Sequence, residues 1–308
     1  MSSIFEFVRE TLLMDEQELL TFSQTAPHRY KKYNIKKRNG TGFRQIAQPS
    51  KEVKFIQRVI LSQLKQKLTT HPCAMAYEPG TGIKLNALHH KDNSYLLKMD
   101  FRDFFPSITP FLFLSIAKDF DTIFDAIDID FLSRLLFYKS TRKSKLRLSI
   151  GAPTSPFISN FVMHSFDRVT HEYCSAHKIN YTRYADDITF STNEKGILFD
   201  LPRLVKGNLR ANTYGQIKIN PEKTVFSSRA FNRHVTGVVI TNDGSLSLGR
   251  DKKRLYSAMV HRYSIGGLDE AERQQLKGYL SFVLHIEPDF FERLTTKYSK
   301  EVINALMD

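Results

Sequence analysis

The stretch Tyr181-Thr182-Arg183-Tyr184-Ala185-Asp186-Asp187-Ile188-Thr189-Phe190 decides the fold. It is rich in aromatic and β-branched residues, as strands are, and is interrupted by two adjacent carboxylates. Neighbours on a straight strand face opposite sides, so Asp186 and Asp187 converge only at a tight hairpin turn, which Tyr184-Ala185-Asp186-Asp187 permits. Acid pairs in apolar surroundings are costly unless a cation sits among them. A second run, Tyr95 to Phe101 (YLLKMDF), reads as a buried strand carrying a further carboxylate, Asp100. On adjacent strands the three acids can hold two Mg²⁺ roughly 3.5–4 Å apart, one to activate a ribose hydroxyl and one to stabilise a pyrophosphate leaving group. Alone, the Asp-Asp dipeptide reads as a decorated surface turn. The partner strand gives it chemical meaning.

Outward from these runs, helix and sheet patterns alternate. Residues 2–25 place Ile4, Phe7, Val8, Leu12, Leu19, Leu20 and Phe22 at helical spacing, predicting one or two short helices. Residues 29–44 are basic and alternating, a hairpin turning at Asn39-Gly40. Ser50 is the expected cap of a helix over 51–68. Residues 111–139 read as mostly helical, and the loop from Gly151 to Pro156 feeds a helix to about Ala176. Strands are expected near 216–220 and 234–241, and helices from about Gly249 onward, with Leu255, Met259, Leu276, Leu280, Val283 and Leu284 as their core. The class is α+β.

Charge narrows the partners. The 45 Lys and Arg outnumber the 32 Asp and Glu by 13, giving a pI near 9.6. Such an excess attracts phosphates and releases their counterions, so nucleic acid is the first expected partner and an anionic membrane the second. With 41% hydrophobic and 12% aromatic residues, disordered, collagen-like and low-complexity classes are excluded. Cys73 and Cys174 alone support neither a disulfide framework nor a zinc site. The opening residues include Glu6, Glu10, Asp15, Glu16 and Glu18 and offer no signal peptide. No apolar run reaches the length of about eighteen residues that spans a bilayer, so the expected setting is cytoplasmic with no membrane partner.

Residues 181–187 resemble the active-site signature of reverse transcriptases, and other motifs of that family stand in order around them. Lys98 to Ile108 (KMDFRDFFPSI) resembles the first catalytic motif, Gly151 to Asn160 (GAPTSPFISN) the next, and Gly215 to Thr224 (GQIKINPEKT) and Phe231 to Ile240 (FNRHVTGVVI) those that follow. The resemblance implies a right-hand polymerase with fingers, a palm built on antiparallel sheet and a helical thumb, without an RNase H domain. Its parts would be an N-terminal helical extension at 1–28, fingers at 29–95, a palm at 96–244 interleaved with fingers helices at 111–144, and a thumb at 245–308 that binds RNA or duplex. The last palm strand would lie in the segment after Phe231.

Two smaller features resemble retron reverse transcriptases: Asn86-Ala87-Leu88-His89-His90 fits their N-A-x-x-H element and Val235-Thr236-Gly237 their V-T-G element. That resemblance implies copying of a structured noncoding RNA of the msr-msd type from the 2′-hydroxyl of an internal guanosine. The product would be a branched RNA–DNA molecule, msDNA, made from dNTPs. It also implies bacterial defence against phage, with an effector or toxin protein from the same operon, and a host RNase H to remove template. Competing readings are another compact reverse transcriptase (group II intron, diversity-generating or abortive-infection type), a catalytically idle RNA-binding scaffold, and a two-metal nuclease.

By the same resemblance, Asp100, Phe101, Asp186 and Asp187 would bind two Mg²⁺, with Mn²⁺ as a substitute. Lys223 would protonate departing pyrophosphate, although a surface lysine is an equal description. Arg44, with Lys36, Lys37 and Arg38 beside it, would clamp the triphosphate. Phe105 would crowd a 2′-hydroxyl and so favour dNTPs, its bland alternative being a core position beside Phe101 and Phe104. Gly151, Ala152 and Pro153 would shape the loop beside the nucleotide. Asn86, His90, Val235, Thr236, Gly237, Arg250, Lys252, Lys253, Arg254 and Arg262 are the candidate RNA contacts, with His261 and Tyr263 nearby. One departure stands out: Ser149-Ile150 replaces the family's Pro-Gln, so the glutamine amide expected near nucleotide and template is absent.

Overall fold

Two short amphipathic helices, α1 (Ile4–Leu12) and α2 (Glu16–Thr25), open the chain, whose described residues in this computed structural model are 3–37 and 42–307. The orphan amides at the α1 N-terminus are satisfied by Ser3, which accepts from Glu6, and by the buried Asp128 carboxylate, which accepts from Ile4 at 3.0 Å and Phe5 at 2.8 Å. Asp15 and Glu18 close a capping box on α2. Strands β1 (Tyr30–Lys36) and β2 (Phe43–Pro49) pair antiparallel, as the alternation predicts. Arg38 and the expected Asn39-Gly40 turn lie outside the described residues.

Ser50 accepts from Val53 and starts α3 (Lys51–Lys67). Then come α4 (Ile83–Leu88), β3 (Tyr95–Arg102), the single turn α5 (Phe104–Ser107), α6 (Pro110–Asp119) and α7 (Ala126–Leu136). Helices α8 (Ser155–Val162) and α9 (His164–Ala176) lead into β4 (Asn180–Tyr184) and β5 (Asp187–Thr192), followed by α10 (Leu201–Asn212) and β6 (Lys218–Ser228). Strands β3 to β6 form one antiparallel sheet in the order β4-β5-β3-β6. Its core face carries Leu97, Met99, Phe101, Ile188 and Phe190, all buried against helices that supply Phe113, Phe161 and Phe166. Each such side chain contributes about 1.5–3 kcal/mol by leaving water.

The segment after Phe231 departs from expectation. The single strand expected over 234–241 is instead a hairpin, β7 (Arg233–Val235) and β8 (Val238–Ile240), broken at Thr236 and Gly237, whose φ values are 47° and 81°. Left-handed residues at both central positions form a tight two-residue turn, and no strand pattern survives that. With β9 (Leu246–Ser247) this hairpin makes a separate three-stranded sheet, so the last strand of the large sheet is β6. Four helices follow: α11 (Arg250–Ser264), α12 (Glu270–Ile286), α13 (Pro288–Tyr298) and α14 (Lys300–Met307). They share a second core with the small sheet, built from Val235, Val238, Ile240, Leu248, Tyr256, Leu276, Leu280 and Val283, and reaching Ala87 and Leu96. Leu255 and Leu284, expected in this core, are about half exposed instead (51% and 48%).

Candidate active site

Strand register brings the three acids together. Asp100 on β3 stands opposite Asp187 on β5 and Asn220 on β6, and the Phe101 amide donates to the Asp186 carbonyl at 3.0 Å. Asp186 lies in the two-residue turn between β4 and β5, which lets it converge with Asp187 as the sequence required. Asp100 is buried (4% exposed). Burial first, then the charge of Asp100, raises the Asp186 carboxyl above its usual range. Asp187 is exposed, yet desolvation by the surrounding protein and the charges of Asp186 and Asp100 push it up to about 6.

The turn itself is strained and held. Ala185 has φ 55°, a left-handed conformation that disfavours any residue with a Cβ by about 1–2 kcal/mol. Arg183 Nη1 donates to the Ala185 carbonyl at 3.2 Å and to Asn160 Oδ1 at 3.1 Å. Its other nitrogens grip Asp167, and Tyr181 Oη donates to the same carboxylate at 2.7 Å. Strain at a functional turn persists only where such surroundings over-determine it. No local spacing in the sequence marks Arg183, Asp167 and Asn160 for this role, since they pair across the fold.

Lys223 reaches the acids by way of a bulge. Lys98 stands opposite Val225 and Asp100 opposite Asn220, so residues 221–224 of β6 face Met99 alone and swing out. Lys223 Nζ lies 2.6 Å from Asp100 Oδ2. Burial lowers its pKa, but the hydrogen bond and charge of Asp100, with Asp186 and Asp187 behind, outweigh this and raise it overall. The lysine therefore carries a proton beside the acids. Among the described residues no three His, Cys, Asp or Glu side chains form a ready cage for a metal ion. The Lys223 ammonium stands at the carboxylate a cation would use. The donor chemistry nevertheless fits Mg²⁺: the hard carboxylates of Asp186 and Asp187 feel each other's charge and that of Asp100, and Asn220 leaves its amide oxygen buried without a partner. The Phe101 ring is buried at 2% exposure, so only its main-chain oxygen is a suitable ligand atom.

Around this centre, Arg44 projects exposed from β2 and its charge bears on Asp186 and on Tyr77. Lys36 and Lys37 are exposed further along the hairpin. Of the three clustered phenylalanines, Phe101 and Phe104 are buried while Phe105 is partly open, its ring 5.5 Å from that of Phe104. The Gly151 loop packs directly on β2: Ala47 N donates to the Ile150 carbonyl at 3.0 Å, and a Cβ at Gly151 would stand 3.2 Å from the Ala47 oxygen. Gly151 has φ 125°, which also favours glycine. Ala152 is buried and Pro153 partly so, while Ser149 is buried where the family has Pro. Tyr77 also bears on the site, with no motif in the sequence to mark it. It has φ 68°, is 54% exposed, and lies where Asp186, Tyr184 and Arg44 act on its phenol.

The candidate RNA contacts divide. Asn86 and His90 are wholly buried and engage internal partners, which corrects their reading as RNA contacts, and Val235 is core. Thr236 is partly buried and Gly237 exposed. Lys252 donates to the Gly237 carbonyl at 2.8 Å, Lys253 pairs with Glu287, and Arg262 pairs with Glu272 at 3.0 Å. Arg250 and Arg254 are exposed on α11.

The reverse transcriptase (RNA-dependent DNA polymerase) family matches residues 35–244. The chain is 44% identical over 292 residues to the retron Ec83 reverse transcriptase of Escherichia coli, covering 94% of this chain and 93% of that protein. This chain belongs to the retron reverse transcriptases. The reverse transcriptase is also 33% identical over 310 residues to the retron Ec73 enzyme of Escherichia coli, covering 94% and 95% of the two chains. In fold it is similar to telomerase from Candida albicans, with TM-score 0.50 and 14% identity over 90% of this chain and 59% of that one. That likeness shows the fold alone. The retron reverse transcriptase is an RNA-directed DNA polymerase of α+β class.

Proposed function

We propose that this polymerase copies part of a structured noncoding RNA into single-stranded DNA, primed from the 2′-hydroxyl of an internal guanosine, and so makes a branched RNA–DNA molecule. The observation that carries its chemistry is the register of Asp100 against Asp187, with Asp186 in the adjoining turn. Asp100, Asp186, Asp187 and the Phe101 main-chain oxygen would hold two Mg²⁺, or Mn²⁺ in their place, which activate the attacking hydroxyl and stabilise the pyrophosphate. Arg44 binds the triphosphate by charge-assisted hydrogen bonds. Phe105 crowds the sugar and excludes a 2′-hydroxyl. Gly151, Ala152 and Pro153 let the loop approach the nucleotide. Lys223 keeps a proton on Nζ and yields it to the leaving pyrophosphate. Residues 29–95, 96–244 and 245–308 serve as fingers, palm and thumb, the hairpin of β7 and β8 at the end of the palm sharing the thumb's core, with Arg250 and Arg254 offered to the RNA phosphates.

The 44% identity to a retron reverse transcriptase supports the branched product, a cytoplasmic setting, and antiphage defence with an effector protein from the same operon and template removal by a host RNase H. Among the described residues no helix is long and apolar enough to cross a membrane. The test is extension of a DNA primer on an RNA template with dNTPs and Mg²⁺. Extension is expected to stop on chelation and in Asp186→Asn with Asp187→Asn; extension that survives the double substitution contradicts the site. Sequencing copurified nucleic acid decides the product: a 2′-linked RNA–DNA branch is expected, and linear cDNA alone would favour another compact reverse transcriptase.

A further inference from the structure

Six buried or half-buried polar side chains join the two sheets. Thr182 Oγ1 donates to Asn86 Oδ1 at 2.6 Å, and Asn86 Nδ2 donates to Thr236 Oγ1 at 3.4 Å. His90 lies 2.7 Å from Thr182 Oγ1 through Nε2 and 2.7 Å from Ser191 Oγ through Nδ1. Asn93 Nδ2 donates to Ser191 Oγ at 2.8 Å. A hydroxyl has one proton. Since Thr182 spends its proton on Asn86, His90 Nε2 must donate to Thr182; the neutral ring then accepts at Nδ1 from Ser191. Every donor points the same way, from Asn93 through Ser191, His90, Thr182 and Asn86 to Thr236.

The ends of this chain lie in different units. Thr182 and Ser191 sit on β4 and β5, the hairpin that carries Asp186 and Asp187, while Thr236 sits in the β7–β8 turn of the C-terminal unit. No strand pairing joins the two sheets among the described residues. Arg233 of β7 reaches the carbonyls of Asn93 and Thr241, and apolar contact comes from Ala87 and Leu96. Thr236 supplies an independent sign. A β-branched residue at φ 47° is an outlier where Gly or Asn would sit easily, and its hydroxyl is the group that Asn86 engages.

We propose that Asn86 and His90 are positioning residues, whose hydrogen-bonded chain to Thr182, Ser191 and Thr236 fixes the C-terminal unit over the hairpin that bears Asp186 and Asp187. Nucleic acid gripped by that unit then meets the acids at a set place. The inference deepens the polymerase reading and rests on it.

The test uses the full chain with poly(rA) annealed to oligo(dT), a duplex without the structured RNA. Asn86→Ala, His90→Ala, Thr182→Val and Ser191→Ala are each expected to raise the duplex Kd, measured without dNTP or metal, by about tenfold, the effect of leaving one buried polar group unsatisfied. They should lower kcat with dNTP KM unchanged and speed amide hydrogen exchange over residues 233–247. Asn86→Ala combined with Thr182→Val should be no worse than either alone, because both break the same chain. Thr182 and Ser191 lie on the strands beside the acids and are buried, as Asn86 and His90 are, so lost duplex binding in Thr182→Val and Ser191→Ala reports the hydrogen-bonded chain rather than a contact of the N-A-x-x-H segment with RNA. Wild-type binding and exchange in Thr182→Val and Ser191→Ala would overturn the proposal, and so would loss in Asn86→Ala and His90→Ala of structured-RNA binding only. Should a larger change fail to fold, Ser191→Ala, which removes one oxygen, decides alone. A wild-type chain that fails to extend primers while these binding and exchange effects hold would sink the polymerase reading and leave the positioning role standing.

Discussion

Arg183 and Asp167 meet inside the protein in a two-pronged ion pair, Nε to Oδ1 at 2.9 Å and Nη2 to Oδ2 at 2.6 Å, with neither side chain exposed. The remaining guanidinium nitrogen holds the Ala185 carbonyl, so the pair links helix α9 to the turn carrying Asp186. Removing one partner strands a buried charge, which costs about 3–5 kcal/mol, whereas replacing both with apolar residues costs far less. Arg183→Met and Asp167→Leu should each lower Tm sharply in thermal denaturation, and the double variant should recover much of the loss. Its kcat should stay low, because the Ala185 turn has still lost its clamp. Equal Tm losses in single and double variants would show that the pair is not coupled.

Gly151→Ala tests the contact between the loop and β2. The new methyl would press on the Ala47 carbonyl, a main-chain atom that cannot rotate away, in a conformation that L residues rarely adopt. Strain of about 1–3 kcal/mol is expected, read as a lower Tm together with a higher dNTP KM. Ala47→Gly should not rescue it, since the clashing atom is backbone.

Phe105→Ala should open the sugar side of the site. The expected outcome is a rise in kcat/KM for ribonucleotides relative to deoxyribonucleotides of about a hundredfold, the scale on which a pocket rejects one added hydroxyl. Competing rNTP and dNTP incorporation measures it. A ratio that does not move would return Phe105 to a packing role beside Phe104.

His90 gives stability a pH dependence. Burial lowers its pKa from 6.5 to about 3, so the folded protein keeps the ring neutral while the unfolded chain protonates below 6.5. Above pH 6.5 both states are neutral and nothing is lost. As pH falls from 6.5 toward 3 the unfolded state takes up a proton that the folded state refuses, and stability declines by about 1.4 kcal/mol per pH unit for this group. Urea titrations between pH 7 and 4.5 should show a slope in the wild type that is smaller by one proton in His90→Gln. Identical slopes would mean that the buried ring titrates normally.

The sequence made three strands of the large sheet legible in local pattern, 95–101 as an apolar run and 181–192 as a β run broken by two acids, whereas the fourth, expected near 216–220, runs from Lys218 to Ser228. Asp100, Asp186 and Asp187 followed from that pattern plus the cost of unneutralised charge. The small sheet was not legible, since β7 and β8 are three residues each and the turn between them uses Thr236, a residue that does not advertise a left-handed position. Asn86 and His90 were misread for a related reason. An amide and an imidazole carry the same letters whether they face RNA or a buried threonine, and only the packing of α4 against two sheets separates the cases. Lys223 stood between two descriptions, and its ammonium lies on Asp100 by way of the bulge of β6 while its side chain stays half exposed.

That bulge has a second consequence. β6 is the outermost strand of its sheet, eleven residues long, with Val225 and Phe226 exposed. A flat edge of this length would template the stacking of one copy upon another. Pro221 offers no amide hydrogen, and the looped residues beside it interrupt the row of free backbone groups. The distortion that aims a lysine at the acids also guards the enzyme against aggregation through its own sheet.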